Sequence, residues 1–418
     1  MPARRCWLVL LIFFCFALLT DRMRICKIWD ADYPWDVRVA KVASSLTSKG
    51  HDVHLVARNS AARAATEMLP EAMVHRLRAW PIGRRLSAAS MFPAFFNPRW
   101  IGAVVATARL TKAEVLLVRD LPLAPTAIVV ARLLGIPCVL DMAENYPAMM
   151  QSLYDNRLQK PFDVVVRNPR AVAAIERWVL RRIDKVAVVV EESEARLLGL
   201  GVARSRIAVV GNTPPLARVE SSAMKEHRDG ILHLNYLGLL EGPRGLGTVL
   251  EAVALARATG QRLHLSVIGG GREATEFRRQ AESLSLGDDI VRFHGFVPNT
   301  DALRLVADAD VGLVPHHATE SWNTTIPNKL FDYMAAGLAV ITSDAAPAAR
   351  VIRETGAGAV YRYDDPSALA TAFVEMASAG VRAEYGRRGR EAVRARYHWE
   401  LDAARMESLL LDAIAEQR

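Results

Sequence analysis

Two α/β domains, each built on a parallel sheet wound with helices on both faces, are predicted by three observations. The chain has 418 residues, and roughly 100–200 residues make one domain. From residue 23 onward, short β-rich apolar runs alternate with helical patterns, the sequence form of βαβ units. The alternation breaks at Gly211-Asn212-Thr213-Pro214-Pro215 and then restarts. With 51% hydrophobic and 23% charged residues and only 4 Cys, the composition excludes a disordered chain, a collagen-like chain and a disulfide scaffold.

The first domain opens with strand Arg24–Ile28. Val39, Val42, Ala43 and Leu46 then recur at helical spacing until Gly50, and Val53–Ala57 returns as the second strand. Further buried strands are expected at Val115–Val118, Pro137–Leu140, Val186–Val190 and Ile207–Val210, with helices such as Pro122–Leu134 between them. The two prolines at 214–215 and the polar stretch to Gly230 read as an interdomain linker. In the second domain, strands are expected at Ile231–Leu237, Arg262–Ile268, Ile290–His294, Val311–Val314, Leu338–Thr342 and Gly358–Tyr361. Helices at Leu246–Arg257, Arg272–Leu284, Thr300–Ala307, Asn328–Ala336 and Pro347–Glu354 separate them, and Pro366–Ala377, Arg382–Ala395 and Trp399–Ala415 follow. The architecture is two Rossmann-like, doubly wound domains facing a cleft, because ligands of open α/β sheets bind at the carboxyl ends of the strands. The boundaries are 1–22 for an apolar extension, 23–215 and 216–398 for the two domains, and 399–418 for the last helix.

Cys6 to Leu19 is apolar and follows Arg4 and Arg5, but its fourteen residues fall short of the about 17–25 needed to span a bilayer. No small-x-small cleavage site follows, and Met23 opens a self-sufficient domain, so residues 1–22 read as a start-site extension or a short membrane anchor. Cys6, Cys15, Cys26 and Cys138 show neither zinc-site spacing nor a disulfide framework and suit a reducing compartment. The net charge of +8 is uneven: residues 1–210 carry 30 basic and 18 acidic residues, and the remainder 23 and 27. A basic first half favours an anionic membrane face, a phosphorylated substrate or nucleic acid. The aromatic and arginine-rich stretch from Trp80 to Trp100 has the composition of a bilayer interface or a single-stranded nucleic-acid site; its prolines and moderate length favour a mobile loop over a nucleic-acid platform, and a partly buried structural loop is equally open.

The residues able to carry chemistry cluster after the expected strands. In Pro327-Asn328-Lys329-Leu330-Phe331-Asp332-Tyr333-Met334-Ala335-Ala336-Gly337, Pro and Gly delimit a helix whose N-terminus would favour an anion. Lys329 adds a positive charge there, and Asp332 could accept hydrogen bonds from sugar hydroxyls; phosphate and ribose side by side describe a nucleotide. In Gly238-Leu239-Leu240-Glu241-Gly242-Pro243-Arg244-Gly245, the glycines allow close backbone approach and Arg244 offers a fork for a diphosphate. Gly269-Gly270-Gly271 with Ala274 satisfies a loose dinucleotide fingerprint, with Asp288 and Asp289 about twenty residues on. It follows the second strand of its domain rather than the first, which favours a phosphate- or sugar-contacting loop over a NAD site.

In the first domain, Asp30-Ala31-Asp32 and, in the second, Asp308-Ala309-Asp310 have the shape of a chelating pair without a third ligand, so no metal site is assigned. Asp36 and Arg38 open the first helix and could meet an acceptor or a phosphate. Glu144, in Leu140-Asp141-Met142-Ala143-Glu144-Asn145-Tyr146-Pro147, is a candidate base or hydroxyl ligand. The pair His316-His317 could reach the cleft. The absence of Gly-x-Ser-x-Gly, Walker and His-Glu-x-x-His motifs argues against hydrolase, NTPase and zinc-peptidase chemistry.

Together, Gly238–Gly245, Gly269–Gly271, Phe293-His294-Gly295-Phe296-Val297 and Pro327–Gly337 resemble the second domain of family 4 of the retaining GT-B glycosyltransferases. Arg38–Ala43 followed by Gly50-His51-Asp52-Val53 is similar to that family's first domain. The resemblance implies a GT-B fold, a UDP- or GDP-type nucleotide sugar bound by the second domain, a glycan or lipid-linked acceptor on the first, and a last helix crossing back. It implies no cofactor and no metal. Arg244 and Lys329 take the places of the diphosphate ligands, Asp332 that of the ribose-binding acid, and Phe296 and Val297 those flanking the base; Gly238, Gly269, Gly270, Asn328 and Leu330 complete the donor side. Where the family often has Glu-x7-Glu ending at the ribose position, the first Glu is Thr324, and its role could pass to Glu320, Asn323 or backbone groups. The expectation is a retaining, metal-independent sugar transferase of surface polysaccharide or glycolipid synthesis, peripheral to the cytoplasmic membrane face and binding no nucleic acid. A catalytically weak or inactive binding partner of the same fold is the alternative, and a NAD-dependent oxidoreductase the third.

Overall fold

A computed structural model of the chain describes residues 22–34, 36–78, 94–155, 168–221 and 230–417. The apolar run Cys6–Leu19 and most of the Trp80–Trp100 stretch lie outside them, as do residues 222–229 of the expected linker. The chain divides into two compact units: Met1–Val188 with Leu200–Ala208 and Ala403–Arg418, and Val189–Gly199 with Val209–Asp402.

The first unit carries an eight-stranded sheet: β1 (Arg24–Asp32), β2 (Asp52–Arg58), β3 (Thr66–Leu69), β4 (Ala72–Arg76), β5 (Val115–Arg119), β6 (Cys138–Met142), β7 (Lys185–Val188) and β8 (Ile207–Val209). Their order is β3-β4-β2-β1-β5-β6-β7-β8. β1, β2, β4, β5, β6 and β7 pair in parallel, and β3 is antiparallel to β4. β5 and β6 are buried at every residue, as expected of parallel strands covered on both faces. Helix Val37–Ser48 starts where the Asp36 carboxylate accepts from the Val39 N–H at 2.8 Å, and it buries Val39, Val42, Ala43 and Leu46.

Two features differ from the sequence reading. β3 and β4 were not expected: their nine residues mix polar and apolar side chains at the sheet edge, too short for a clear period-2 pattern. β1 runs on to Asp32 instead of ending at Ile28, so Asp30 and Asp32 belong to a strand rather than a turn. Asp30 pairs with Arg58 at 2.6 Å and Asp32 accepts from the Ser60 N–H at 2.7 Å, so this acidic pair ties β1 to the end of β2.

The second unit has a six-stranded parallel sheet: β9 (Leu232–Leu237), β10 (Leu263–Ile268), β11 (Val291–Gly295), β12 (Val311–Val314), β13 (Ala339–Ser343) and β14 (Gly358–Tyr361), in the order β11-β10-β9-β12-β13-β14. Its core joins Leu234, Tyr236 and Leu265 of the sheet with Val249 and Val253 of helix Leu246–Ala258 and Phe373 of helix Pro366–Glu375. Val189–Gly199, which the sequence reading placed in the first domain, groups here: Arg350 pairs with Glu192 at 2.7 Å, and the Ser193 hydroxyl donates to the Thr324 carbonyl. Within the expected linker, Thr213 and Pro214 are hydrogen-bonded inside the second unit. The Thr213 hydroxyl donates to Asp402 at 2.6 Å, and the Trp399 N–H donates to the Pro214 carbonyl at 2.8 Å. Helix Trp399–Ala415 contributes to the second unit through Asp402 and to the first from Ala403, where Glu407 pairs with Lys49 and, at 2.8 Å, meets His51.

The triple glycine after β10 is fixed by packing. Gly269 has φ +125°, and a Cβ there would lie 2.0 Å from the Gly238 carbonyl oxygen; one on Gly270 would lie 2.5 Å from the Phe296 ring, and one on Gly271 2.3 Å from the Leu240 oxygen. Gly269→Ala should therefore lower stability by about 3 kcal/mol, combining backbone strain with a clash against main chain. Urea unfolding checks this, and an unchanged midpoint would remove the packing explanation.

Candidate functional site

In both sheets the strand order reverses direction at one place, between β1 and β5 in the first unit and between β9 and β12 in the second. The carboxyl ends of strands at such a switch point are where open α/β sheets receive ligands. Both places hold buried charges, with opposite character.

In the first unit the charges are paired. Arg38 is buried and forks onto Asp141, with Nη2 at 2.7 Å and Nε at 3.0 Å from Oδ1. Lys27 Nζ, fully buried, lies 4.0 Å from Asp141, and Arg119 Nη1 lies 2.9 Å from Asp120. Burial pushes the Asp141 carboxyl up, but Arg38, Arg119 and Lys27 together hold it well below the usual carboxylate range. Burial brings Lys27 down to about 8 against the pull of Asp141. Asp120, at φ +61°, accepts from the Ala143 N–H at 3.0 Å, and burial raises its carboxyl. Of the expected acceptor-side residues, Arg38 pairs with Asp141 and Asp36 caps its helix. Glu144 sits half-buried beside this cluster's Ala143. Sequence reasoning passed over Lys27, Asp120 and Asp141; the signal was a charged residue inside otherwise apolar buried strands.

In the second unit Lys329 has no hydrogen-bond partner among the described residues, and the Arg244 guanidinium has only a long carboxylate contact, to Glu241. Gly238–Gly245 follows β9, Pro315–Asn328 follows β12, and helix Lys329–Ala336 comes next. The two loops are stitched together: the His317 N–H donates to the Pro243 carbonyl at 3.0 Å, and a Cβ on Gly245, at φ +77°, would lie 1.7 Å from the Pro315 oxygen. Only glycine allows that approach. Tyr333 of the helix accepts from the Leu237 N–H at 2.9 Å and locks the helix to the end of β9.

Lys329 is 7% exposed. Its Nζ has no hydrogen-bond partner, stands 4.1 Å from the centre of the Tyr236 ring, and would be 3.7 Å from a Cβ on Gly238. Arg244 lies over the Trp322 ring at 5.2 Å; its Nε is buried without a hydrogen bond among the described residues, and Glu241 lies 3.8 Å from it. Burial, with Arg244 adding to it, holds the Lys329 amine well below its ordinary value. A buried cation without a counterion is costly, so Lys329, with the Arg244 guanidinium acting on it, makes a socket for an anion.

The remaining expected donor-side residues are placed as follows. Gly238 lines the space beside Lys329. Gly269 and Gly270 pack on Gly238 and Phe296. Phe296 is 78% exposed, Val297 half-buried, and Asn328 and Glu320 exposed. Leu330 is fully buried in the interior. The helix N-terminus is less open than expected, because the Leu330 and Phe331 N–H groups already donate to the Pro327 and Asn328 carbonyls. Asp332 is engaged by Arg218 of the short helix Leu216–Ser221. Nothing in the sequence pointed to Arg218, which sits in the polar stretch read as linker. Among the described residues no cluster of three His, Cys, Asp or Glu is arranged to hold a metal, and no helix is long and apolar enough to cross a membrane.

Residues 231–379 match the family described as Glycosyl transferases group 1, and residues 36–213 match the Glycosyl transferase 4-like domain. The chain belongs to the group 1 glycosyltransferases, and its architecture is GT-B. Among curated relatives it is 31% identical over 173 residues to a phosphatidyl-myo-inositol mannosyltransferase of Mycolicibacterium smegmatis, covering 41% of this chain and 42% of that protein. It is 24% identical over 199 residues to a putative colanic acid biosynthesis glycosyltransferase, WcaL, of Salmonella typhimurium, covering 47% and 48%. These alignments span less than half of either relative. Among solved structures, sucrose-phosphate synthase from Thermosynechococcus elongatus superposes with a TM-score of 0.71 at 19% identity, over 94% of this chain and 100% of that one. Anabaena HepE in complex with UDP and glucose superposes at 0.67 and 12%, over 94% and 100%.

Lys329→Met, which keeps the volume and removes the charge, should stabilise the ligand-free protein at pH 7 by at least ~1 kcal/mol, roughly 2–4 °C in Tm for a domain of this size. The folded-state pKa of Lys329 lies below its unfolded value, so the penalty on wild type is largest at low pH and fades as pH rises toward about 10. The Tm gap between variant and wild type should narrow from pH 7 to 9.5. A variant less stable than wild type at pH 7 would contradict the reading of Lys329 as an unpaired cation.

Proposed function

We propose that the protein transfers a sugar from a UDP- or GDP-sugar to a glycan or lipid-linked acceptor, with retention of anomeric configuration and without a metal ion. The observation that carries this reading is the Lys329 ammonium, buried without a partner beside Arg244 at the switch point of the second unit. As the glycosidic carbon separates from the nucleotide, negative charge grows on the departing β-phosphate. Arg244 offers that oxygen a planar fork and Lys329 a full charge in dry surroundings, where preorganised cations stabilise far more than in water. The acceptor hydroxyl attacks the face from which the diphosphate leaves, and its proton passes to the departing phosphate oxygen, so configuration is kept. Asp332 contacts the ribose once Arg218 yields its carboxylate, and Phe296 and Val297 flank the base.

The first unit is proposed to receive the acceptor. Its excess of basic residues supports an anionic lipid-linked substrate and a peripheral position at the cytoplasmic membrane face. The relatives named for a phosphatidyl-inositol acceptor and for an exopolysaccharide support glycolipid or surface-polysaccharide synthesis. A second reading, a weak or inactive binding partner, is favoured by Thr324: its hydroxyl donates to the Glu320 and Ser321 carbonyls at 3.0 and 3.2 Å instead of offering a carboxylate to a donor sugar.

Screening UDP-, GDP- and dTDP-sugars for hydrolysis and transfer separates these readings. With the donor that reacts, Arg244→Ala and Lys329→Ala should each lower kcat/KM by about a hundredfold or more, and proton NMR of the first product should show the donor's anomeric configuration. Unaltered turnover in both variants would refute the assigned roles; no hydrolysis or transfer with any donor would favour the binding partner.

A further inference from the structure

The pocket around Lys329 holds another buried nitrogen group that the proposed reaction does not yet use. His316 follows β12 directly, is wholly buried, and meets the Trp322 ring edge-on with centroids 4.2 Å apart. Its backbone carbonyl is held by the Ser343 hydroxyl, which fixes the ring's starting point. Neither Nδ1 nor Nε2 has a hydrogen-bond partner. An imidazole always carries at least one N–H donor, and buried polar groups are seldom left unmet.

Of the side chains around the missing family carboxylate, two are committed and the third is exposed at the surface. The Asn323 amide spans the Ala318 carbonyl at 3.4 Å and the Ala346 N–H at 2.9 Å, the Thr324 hydroxyl is bonded within its own turn, and Glu320 is exposed. His316 is different: it is buried, and the groups that act on it electrostatically are Lys329, Arg244 and His317. Glu241 and Tyr236 face Arg244 and Lys329 from the β9 side. The half-buried Trp322 ring is set against both His316 and Arg244, which places the imidazole next to the Arg244 guanidinium's platform.

We propose that His316 is a third ligand of the donor diphosphate, donating a ring N–H to a phosphate oxygen that Arg244 and Lys329 also hold. This rests on the proposed function and adds a residue to the same pocket. A consequence follows for protons. Burial, together with Lys329, Arg244 and His317, keeps the free imidazole neutral well below its usual range. A bound diphosphate reverses that field, so the ring takes up a proton as the nucleotide binds. The net charge brought into the pocket is thereby reduced, and binding weakens as pH rises.

The test is calorimetric titration of the full-length protein with UDP and with GDP at pH 7.5, in two buffers of different ionisation enthalpy. Wild type should take up a measurable fraction of a proton per nucleotide. His316→Phe, which keeps a ring but no nitrogen, should weaken binding at least tenfold. His316→Gln, whose amide donates but cannot titrate, should recover most of the affinity while taking up less proton than wild type. Should the Phe variant fail to fold, the Gln variant carries the test through its proton count. Wild-type affinity in His316→Phe, or wild-type proton uptake in His316→Gln, overturns the proposal and leaves the transferase reading intact. If wild type binds neither nucleotide, the donor site itself is overturned and this inference with it.

Discussion

The Lys329 ammonium is buried, unpaired and held beside a second cation, and the surrounding segment of the second unit is shaped by that constraint. A charge removed from water without a partner costs several kcal/mol by order of magnitude, so the fold must hold it by force of packing. Tyr333 pins the helix to the end of β9, Gly245 lets the Arg244 loop press on the Pro315 carbonyl, and Gly238 leaves the space beside Nζ open. The Tyr236 ring meets the ammonium favourably, at a distance suited to a cation–π contact. What is missing is negative charge, and that is what a nucleoside diphosphate brings.

The first unit solves the equivalent electrostatic problem in the opposite way. Its switch point also gathers buried charges, yet Arg38 and Lys27 share Asp141, and Arg119 faces Asp120. Lys27 Nζ and Arg119 Nε make no hydrogen bond among the described residues, but each side chain has a carboxylate within 4.0 Å, a counterion that Lys329 lacks. The sequence-wide arithmetic points elsewhere, because the excess of basic residues lies in the first half of the chain. Charge counts report long-range fields, whereas the absence of a partner at one buried atom reports a site. The two kinds of information are complementary, the first bearing on an acceptor or membrane surface and the second on the donor.

Much of the fold was legible because parallel strands buried on both faces leave near-continuous apolar runs, and helices between them end at glycines such as Gly135, Gly337 and Gly356. The edge strands β3 and β4 were not, since short edge strands keep mixed side chains. At the site, the residue types in Gly238–Gly245 and Pro327–Gly337 were enough to single out Arg244 and Lys329. They could not reveal that Arg218 occupies Asp332, that Asp141 occupies Arg38, or that the three glycines after β10 are demanded by close packing, because each depends on a partner far away in the chain. His316 stood in the sequence as half of a histidine pair; only its burial and its two unmet nitrogens distinguish it from its neighbour.

The central claim is that Lys329 and Arg244 of the second unit hold a diphosphate. Its most direct test is an experimental structure of the protein with UDP or GDP bound. The account predicts phosphate oxygens within about 3 Å of both Lys329 Nζ and the Arg244 guanidinium. A bound nucleotide whose diphosphate lies away from Lys329, with that ammonium still unpartnered, would contradict it.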